Sequence, residues 1–303
     1  MTMLLILLSS SLFRVRAGIV GQTSTEACAA FADFSDGSDS SGTDSCGHQI
    51  SLSKISTRND EERKFDQVAP MSKLIREGTT MIINASMKHT ATVILSHGLG
   101  DTAEGWSDAA LEMSRHLPHI KWILPTAPVN PVTLNGGMRM TSWYDIESLS
   151  KSRELQDCKG IEESTESLHK LIRTENQNGI DSSRIVLAGF SQGGAMSLWT
   201  GLQLPPAFVS RLAGILVMSG YLPKGHAFKM SEHGRNTPVL HCHGTADPLV
   251  LPDFAEQSRK HVLDGAHKAG YELRTYRGLA HSANMQELMD VIHWLDRILP
   301  NDV

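Results

Sequence analysis

The chain has 303 residues, 40% of them hydrophobic and 20% charged, with 28 Lys plus Arg against 33 Asp plus Glu and a formal net charge of −5. That is enough apolar material for a sizeable core, and the charge balance excludes a nucleic-acid or anionic-membrane binder that works by bulk attraction. No apolar run approaches the ~18 residues of a spanning helix, and four cysteines are too few for a disulfide scaffold.

The chain divides by composition at about residue 75. Met1 to Thr25 contains no Asp or Glu, and carries the apolar run Met3 to Leu8, three consecutive serines, Arg14 and Arg16. This pattern fits a secretory or organellar targeting segment, although positive charges ahead of the apolar run are missing. The alternative is an unstructured extension, or a true start at Met71. Phe31 to Thr57 is dominated by Ser, Asp, Gly and Thr, and cannot bury enough surface to offset its ordering entropy. Residues 1–75 are therefore expected to be disordered, and 76–303 to form one domain. A cytoplasmic location is expected, with an organellar or secretory one if residues 1–25 act as a signal.

Beyond Thr79 short strands and helices alternate. Strands are predicted at Met81 to Asn84, Thr92 to Leu95, Trp122 to Leu124, Arg184 to Leu187, Ile215 to Met218, Val239 to His241 and Leu273 to Tyr276. Most are continuous apolar runs bounded by Gly, Pro or Asn, as strands buried on both faces tend to be. Helical stripes run through Ile161, Leu168, Leu171 and Ile172, along Ala195 to Leu204, and through Leu288, Val291, Ile292, Leu295, Ile298 and Leu299. The alternation predicts an α/β fold with a mostly parallel central sheet and helices on both faces. Chemistry is then expected at the carboxyl ends of the strands.

The strand ending at Leu187 leads into Gly189-Phe190-Ser191-Gln192-Gly193-Gly194 and a helix. Gly-x-Ser-x-Gly between strand and helix lifts a serine hydroxyl above the sheet on a turn too tight for side chains two positions either side. The other reading is an exposed serine between turn glycines. A nucleophilic serine needs a base, and hydrolases of this kind order the triad as serine, acid, histidine. Asp247 follows the strand Val239 to His241, and His281 follows the strand Leu273 to Tyr276, just before the last helix. Ser191, Asp247 and His281 are the catalytic candidates, with His281 as base and Asp247 fixing its tautomer. Taken alone, Asp247 could be a turn aspartate before proline, and His281 one solvated histidine among 14.

An oxyanion hole needs two converging N–H donors. One is expected from Gln192, the other from Leu99 in the loop Ser96-His97-Gly98-Leu99-Gly100-Asp101. Gly98, Gly100 and Ala103 also fit a dinucleotide fingerprint, but the next strand ends in Pro125-Thr126-Ala127-Pro128, with no acid to hold a ribose. Between Pro128 and Ile161 lie more than 30 residues without strong periodicity, which in a compact domain is usually functional. Leu134, Met138, Met140 and Trp143 there are candidates for an apolar groove wall, and cover for the sheet edge is the alternative. His241-Cys242-His243 resembles a metal site, but neighbouring strand residues face opposite ways, so the three cannot converge.

These motifs, with Pro131-Val132-Thr133-Leu134, Ser142-Trp143-Tyr144-Asp145, Asp247-Pro248-Leu249-Val250 and His281-Ser282, together resemble the acyl-protein thioesterase and lysophospholipase family, in order from about Gly78 to Pro300. The resemblance implies an α/β-hydrolase without a large cap domain, and without cofactor or metal. It also implies hydrolysis of palmitoyl-cysteine thioesters on proteins, with lysophospholipids and short esters as further substrates, and transient contact with membrane surfaces. Carried over, Ser191, Asp247 and His281 form the triad, Leu99 and Gln192 give the oxyanion donors, and Trp143 lines the acyl site. Thr245, where many relatives have an acid, and Leu251-Pro252 depart from the family pattern, as does Gly137-Met138-Arg139 in the groove segment. Oligomeric state is left open.

Overall fold

A computed structural model describes residues 72–149 and 153–301. The expectations for residues 1–71 lie outside the described residues. Along the described chain the elements are β1 (Leu74–Glu77), β2 (Thr80–Ile83), β3 (Ala91–Ser96), α1 (Ser107–His116), β4 (Ile120–Leu124), β5 (Val129–Val132), β6 (Met138–Thr141), α2 (Ile161–Gln177), β7 (Ile185–Phe190), α3 (Gln192–Leu202), β8 (Gly214–Met218), α4 (Glu232–Arg235), β9 (Val239–Gly244), α5 (Pro252–Asp264), β10 (Tyr271–Tyr276) and α6 (Met285–Ile298).

Eight strands form one sheet in the order β1-β2-β4-β3-β7-β8-β9-β10. β2 runs antiparallel to both β1 and β4, and every pairing from β4 through β10 is parallel. Strands β3, β7, β8 and β9 are buried along their whole length. Their side chains alternate between two cores: Ile185 and Leu187 of β7 join the layer of α2, α3 and α5, whereas Val186, Ala188 and Phe190 join that of α1 and α6. That explains the unbroken apolar runs, since both faces are covered.

After β3 the chain moves one way along the sheet, to β4; from β7 it moves the other way, to β8, β9 and β10. The order reverses between β3 and β7, and the crevice at such a reversal is where open α/β sheets bind ligands. The loops after both strands carry the motifs read above.

Three strands escape the sequence reading. β1 lies across the expected boundary at residue 76, so the sheet begins earlier. The strand is short, and three of its four residues are exposed, which leaves no apolar alternation to read. The segment after Pro128 is not featureless: β5 and β6 pair antiparallel as a two-stranded ribbon, joined through Gly136 and Gly137, both at positive φ. Half of its positions are exposed, and Pro131 interrupts the first strand, so its period is hidden.

Candidate active site

β7 ends at Phe190 and α3 begins at Gln192, so the whole turn falls on Ser191, at φ 54° and ψ −118°. A non-glycine residue at such angles costs on the order of 1–3 kcal/mol and persists only when its surroundings enforce it. Here the Ser191 N–H donates to the Met218 carbonyl of β8 (2.8 Å), and the Ser191 carbonyl accepts from Ala195 of α3 (2.9 Å). A Cβ at Gly189 would strike the Gly193 carbonyl, and one at Gly193 the backbone of Ser96 and His97. The glycines therefore let α3, the strand beneath it and the β3 loop close on one point.

The three catalytic candidates meet. Ser191 Oγ lies 2.9 Å from His281 Nε2, and His281 Nδ1 lies 2.7 Å from Asp247 Oδ2. Asp247 is 2% exposed, and its other oxygen accepts from the N–H groups of Leu249 and Val250, both at 2.9 Å. Burial pushes its carboxyl pKa up, but the hydrogen bond and charge of His281, with the two N–H groups, outweigh this and hold it below the usual carboxylate value. The acid and base loops are laced together: Thr245 N–H donates to the Tyr276 carbonyl, Ala246 N–H to that of Leu279, and Gly278 N–H to Thr245 Oγ1. Thr245 thus uses its hydroxyl for this tie. The Phe190 ring packs on His281 with centroids 4.9 Å apart.

Gln192 opens α3, so its N–H is among the first-turn donors that have no carbonyl a turn earlier. Opposite, Gly98 comes so close that a Cβ there would stand 3.4 Å from Ser191 Cβ. Gly100 N–H donates to the Thr141 carbonyl (2.8 Å) and Asp101 N–H to that of Gly98 (3.2 Å). The Leu99 N–H between them takes no hydrogen-bond partner among the described residues.

His97 fixes this loop in a way the motif alone does not reveal. Its Nε2 accepts from Ala127 N–H (3.0 Å), so in the neutral ring Nδ1 carries the proton and donates to the Gly98 carbonyl (2.7 Å). Burial keeps the ring neutral, with its pKa pushed down to about 4. The Gln192 side chain is a second tie: its Oε1 accepts from Trp143 N–H (3.0 Å), and its Nε2 donates to the Tyr144 carbonyl (2.7 Å) and Ser142 Oγ (3.1 Å). Neither role has a local sequence signal, because Ala127 lies 30 positions from His97 and the Gln192 partners lie 48 to 50 positions from it.

The groove candidates separate. Trp143 is 2% exposed; its indole N–H donates to the His97 carbonyl (2.8 Å) and its ring tilts against the His97 ring. It braces the loop after β3 from inside and offers little surface to a ligand. Leu134 and Met140 are partly buried against the core, and Met140 Sδ would lie 3.8 Å from a Cβ on Gly100. Met138, at 40% exposure, stands on the outer part of the β5–β6 ribbon. In the His-Cys-His run, His241 and His243 face each other while Cys242 joins the opposite core.

A hydroxyl on a strained elbow, backed by an imidazole and a buried carboxylate at the reversal point of a parallel sheet, is the working arrangement of serine α/β-hydrolases, and this chain is an enzyme of that class. It belongs to the phospholipase/carboxylesterase family, which it matches over residues 77–299. Acyl-protein thioesterase 1 of Yarrowia lipolytica is 41% identical over 219 residues, spanning 71% of this chain and 94% of the relative. That of Schizosaccharomyces pombe is 40% identical over 222 residues, spanning 73% and 96%. Among solved structures, acyl-protein thioesterase 2 of Zea mays superposes with a TM-score of 0.64 at 29% identity, covering 74% of this chain and all of the other. SOBER1 of Arabidopsis thaliana gives 0.63 at 30% identity, covering 69% and 99%.

Proposed function

We propose that this chain hydrolyses acyl-cysteine thioesters on proteins through an acyl-enzyme on Ser191. The observation that carries the reading is the continuous chain from Ser191 Oγ through His281 to the buried Asp247. Thioesterases among its 40%-identical relatives supply the substrate class. His281 Nε2 takes the Ser191 proton as Oγ bonds to the thioester carbonyl carbon. The carbonyl oxygen becomes an oxyanion, held by the Leu99 and Gln192 N–H groups. The C–S bond breaks, and the cysteine leaves with the proton from His281. Water then repeats the sequence: His281 takes its proton, the hydroxyl adds to the acyl carbon, and the C–O bond to Ser191 breaks. A fatty acid departs and Ser191 regains its proton. Asp247 stays ionised and stabilises the imidazolium.

Leu134, Met138 and Met140 on the β5–β6 ribbon form the acyl-binding wall in this reading, with methionines adapting to a flexible chain. Oxygen esters pass through similar tetrahedral intermediates, so lysophospholipids and small esters are secondary substrates of the same site. S-acylated proteins are the partners, met transiently at membrane surfaces; among the described residues no helix is long and apolar enough to cross a membrane.

A fluorophosphonate probe tests the nucleophile. Folded protein should be labelled at Ser191, and Ser191→Ala should abolish labelling and lower kcat by about 10⁴–10⁶-fold. Unlabelled folded wild type, or activity that survives the substitution, would remove the reading.

A further inference from the structure

Behind the acid of the triad lies a buried chain of polar side chains that the mechanism above does not use. His243 Nε2 is 2.8 Å from the Val250 carbonyl, and His243 Nδ1 is 3.4 Å from His241 Nε2. His241 Nδ1 is in turn 2.8 Å from the Tyr271 hydroxyl on β10. All three residues are buried, the two histidines fully. The direction of every bond follows from one fixed acceptor. A carbonyl can only accept, so His243 Nε2 carries the proton and the Nδ1 of the neutral ring accepts. His241 must then donate from Nε2 and accept at Nδ1, which the Tyr271 O–H satisfies.

The chain ends on the turn that holds the acid. The Val250 N–H donates to Asp247 Oδ1, while its carbonyl receives the His243 proton. Arg153 grips the neighbouring Leu249 carbonyl. His243 Nε2 also stands 3.6 Å from Asp247 Oδ2, the oxygen that faces His281. We propose that His243 is a positioning residue for the triad: its Nε2–H, kept in that tautomer by His241 and Tyr271, holds the Asp247–Val250 turn so that Oδ2 points at His281.

The chain in this direction uses both rings neutral: a second proton on His243 would set its Nδ1–H against His241 Nε2–H unless His241 took its other tautomer, and one on His241 would reverse the Tyr271 hydrogen bond. Burial is the main cause that disfavours charge on both; the His243 charge adds to it at His241 and the His281 charge at His243, while the hydrogen bond to Val250 and the Asp247 charge act in the opposite sense on His243. Tyr271, at the outer end, also senses Arg259 and Glu256 of α5, and burial keeps its hydroxyl protonated. The Gly220 carbonyl faces His241 as well.

The inference rests on the serine-hydrolase reading, and three substitutions at His243 test it against packing. In His243→Gln the amide nitrogen reaches the place of Nε2 and can donate to Val250; Asn is too short, and Leu has no donor. His243→Asn and His243→Leu should lower kcat on an ester substrate by about 10- to 100-fold, with KM changed less than about twofold, because the defect lies in the reacting geometry. The acid limb of their pH–rate profiles should move to lower pH, as the His281 cation loses a well-placed carboxylate. His243→Gln should recover most of kcat and the wild-type profile. Wild-type kcat in the Asn or Leu variants overturns the inference. So does a Gln variant as impaired as Leu, or a loss of kcat that tracks melting temperature across the three with the profile unmoved. Should the His243 variants not fold, Tyr271→Phe decides. It removes only the terminal donor, so a few-fold loss of kcat with the same profile shift supports the chain, and full kcat with an unmoved profile overturns it. Wild type that no fluorophosphonate labels fails the enzyme reading itself; labelled wild type with an unimpaired His243→Leu fails the positioning role alone.

Discussion

Two carboxyl groups near the base loop are driven in opposite directions by their surroundings. Asp247 has four donors or charges to satisfy it and sits below its ordinary pKa, so the stability it contributes is present above the unfolded value and is lost as pH falls through the folded one. Glu287, in the first turn of α6, is fully buried, and neither of its oxygens finds a hydrogen-bond partner among the described residues. Burial is the main cause that pushes it from an ordinary 4.5 up to about 8, the nearby Asp290 adding to it and the Asn284 cap opposing it. Here the folded state binds the extra proton, so the contribution of Glu287 to stability is fully present below pH 4.5 and is lost as pH rises towards about 8. The slope is at most about 1.4 kcal/mol per pH unit. Glu287→Gln, which cannot ionise, should therefore melt several degrees higher than wild type at pH 8, with the gap closing towards pH 4.5. Thermal denaturation across that range checks it; parallel curves for the two proteins would contradict the assignment. At this scale the sequence was most informative where function compels a residue type. Ser191, Asp247 and His281 follow from order and strand ends, whereas the neutral tautomers of His97 and His243 depend on carbonyls and amides that only the fold brings near.

The elements show the same division. Strands β3, β7 and β8 were legible because burial on both faces writes them as largely apolar runs, and the glycines of the elbow because no side chain fits there. The β5–β6 ribbon was not, since its four-residue strands are half exposed and held by specific ties. Asp145 accepts from the Thr133 N–H and hydroxyl, and Thr141 Oγ1 donates to the Asp101 carbonyl. Through Thr141 and Gly100 the ribbon is anchored to the loop after β3, and under the proposed function its apolar side chains act on binding of the acyl chain. Met140→Ala should lower kcat/KM on a long-chain acyl substrate by about tenfold, and on a short-chain ester by much less, as loss of apolar contact along the chain requires. Equal losses on the two substrates would place Met140 in support of the loop and remove it from the wall.

Over the whole molecule, the reversal of strand order between β3 and β7 brings the parts of the site together. It sets the elbow serine of one strand against the glycine loop of the other, with the acid and base delivered from β9 and β10 across the same edge. Composition set the expected boundary at residue 76, and among the described residues the first strand already starts at Leu74. It could not reveal β1 itself, which contributes an exposed edge and little to either core. In the proposed function the triad serves acyl transfer in general, and the choice of substrate is assigned to the ribbon and the crevice beside it. The most direct test of the account is a comparison of kcat/KM on an S-palmitoylated peptide, a lysophospholipid and a short-chain ester, with Ser191→Ala as the blank. The account predicts the highest value on the palmitoyl thioester, with all three activities lost together in the blank. A large preference for the short-chain ester would contradict it.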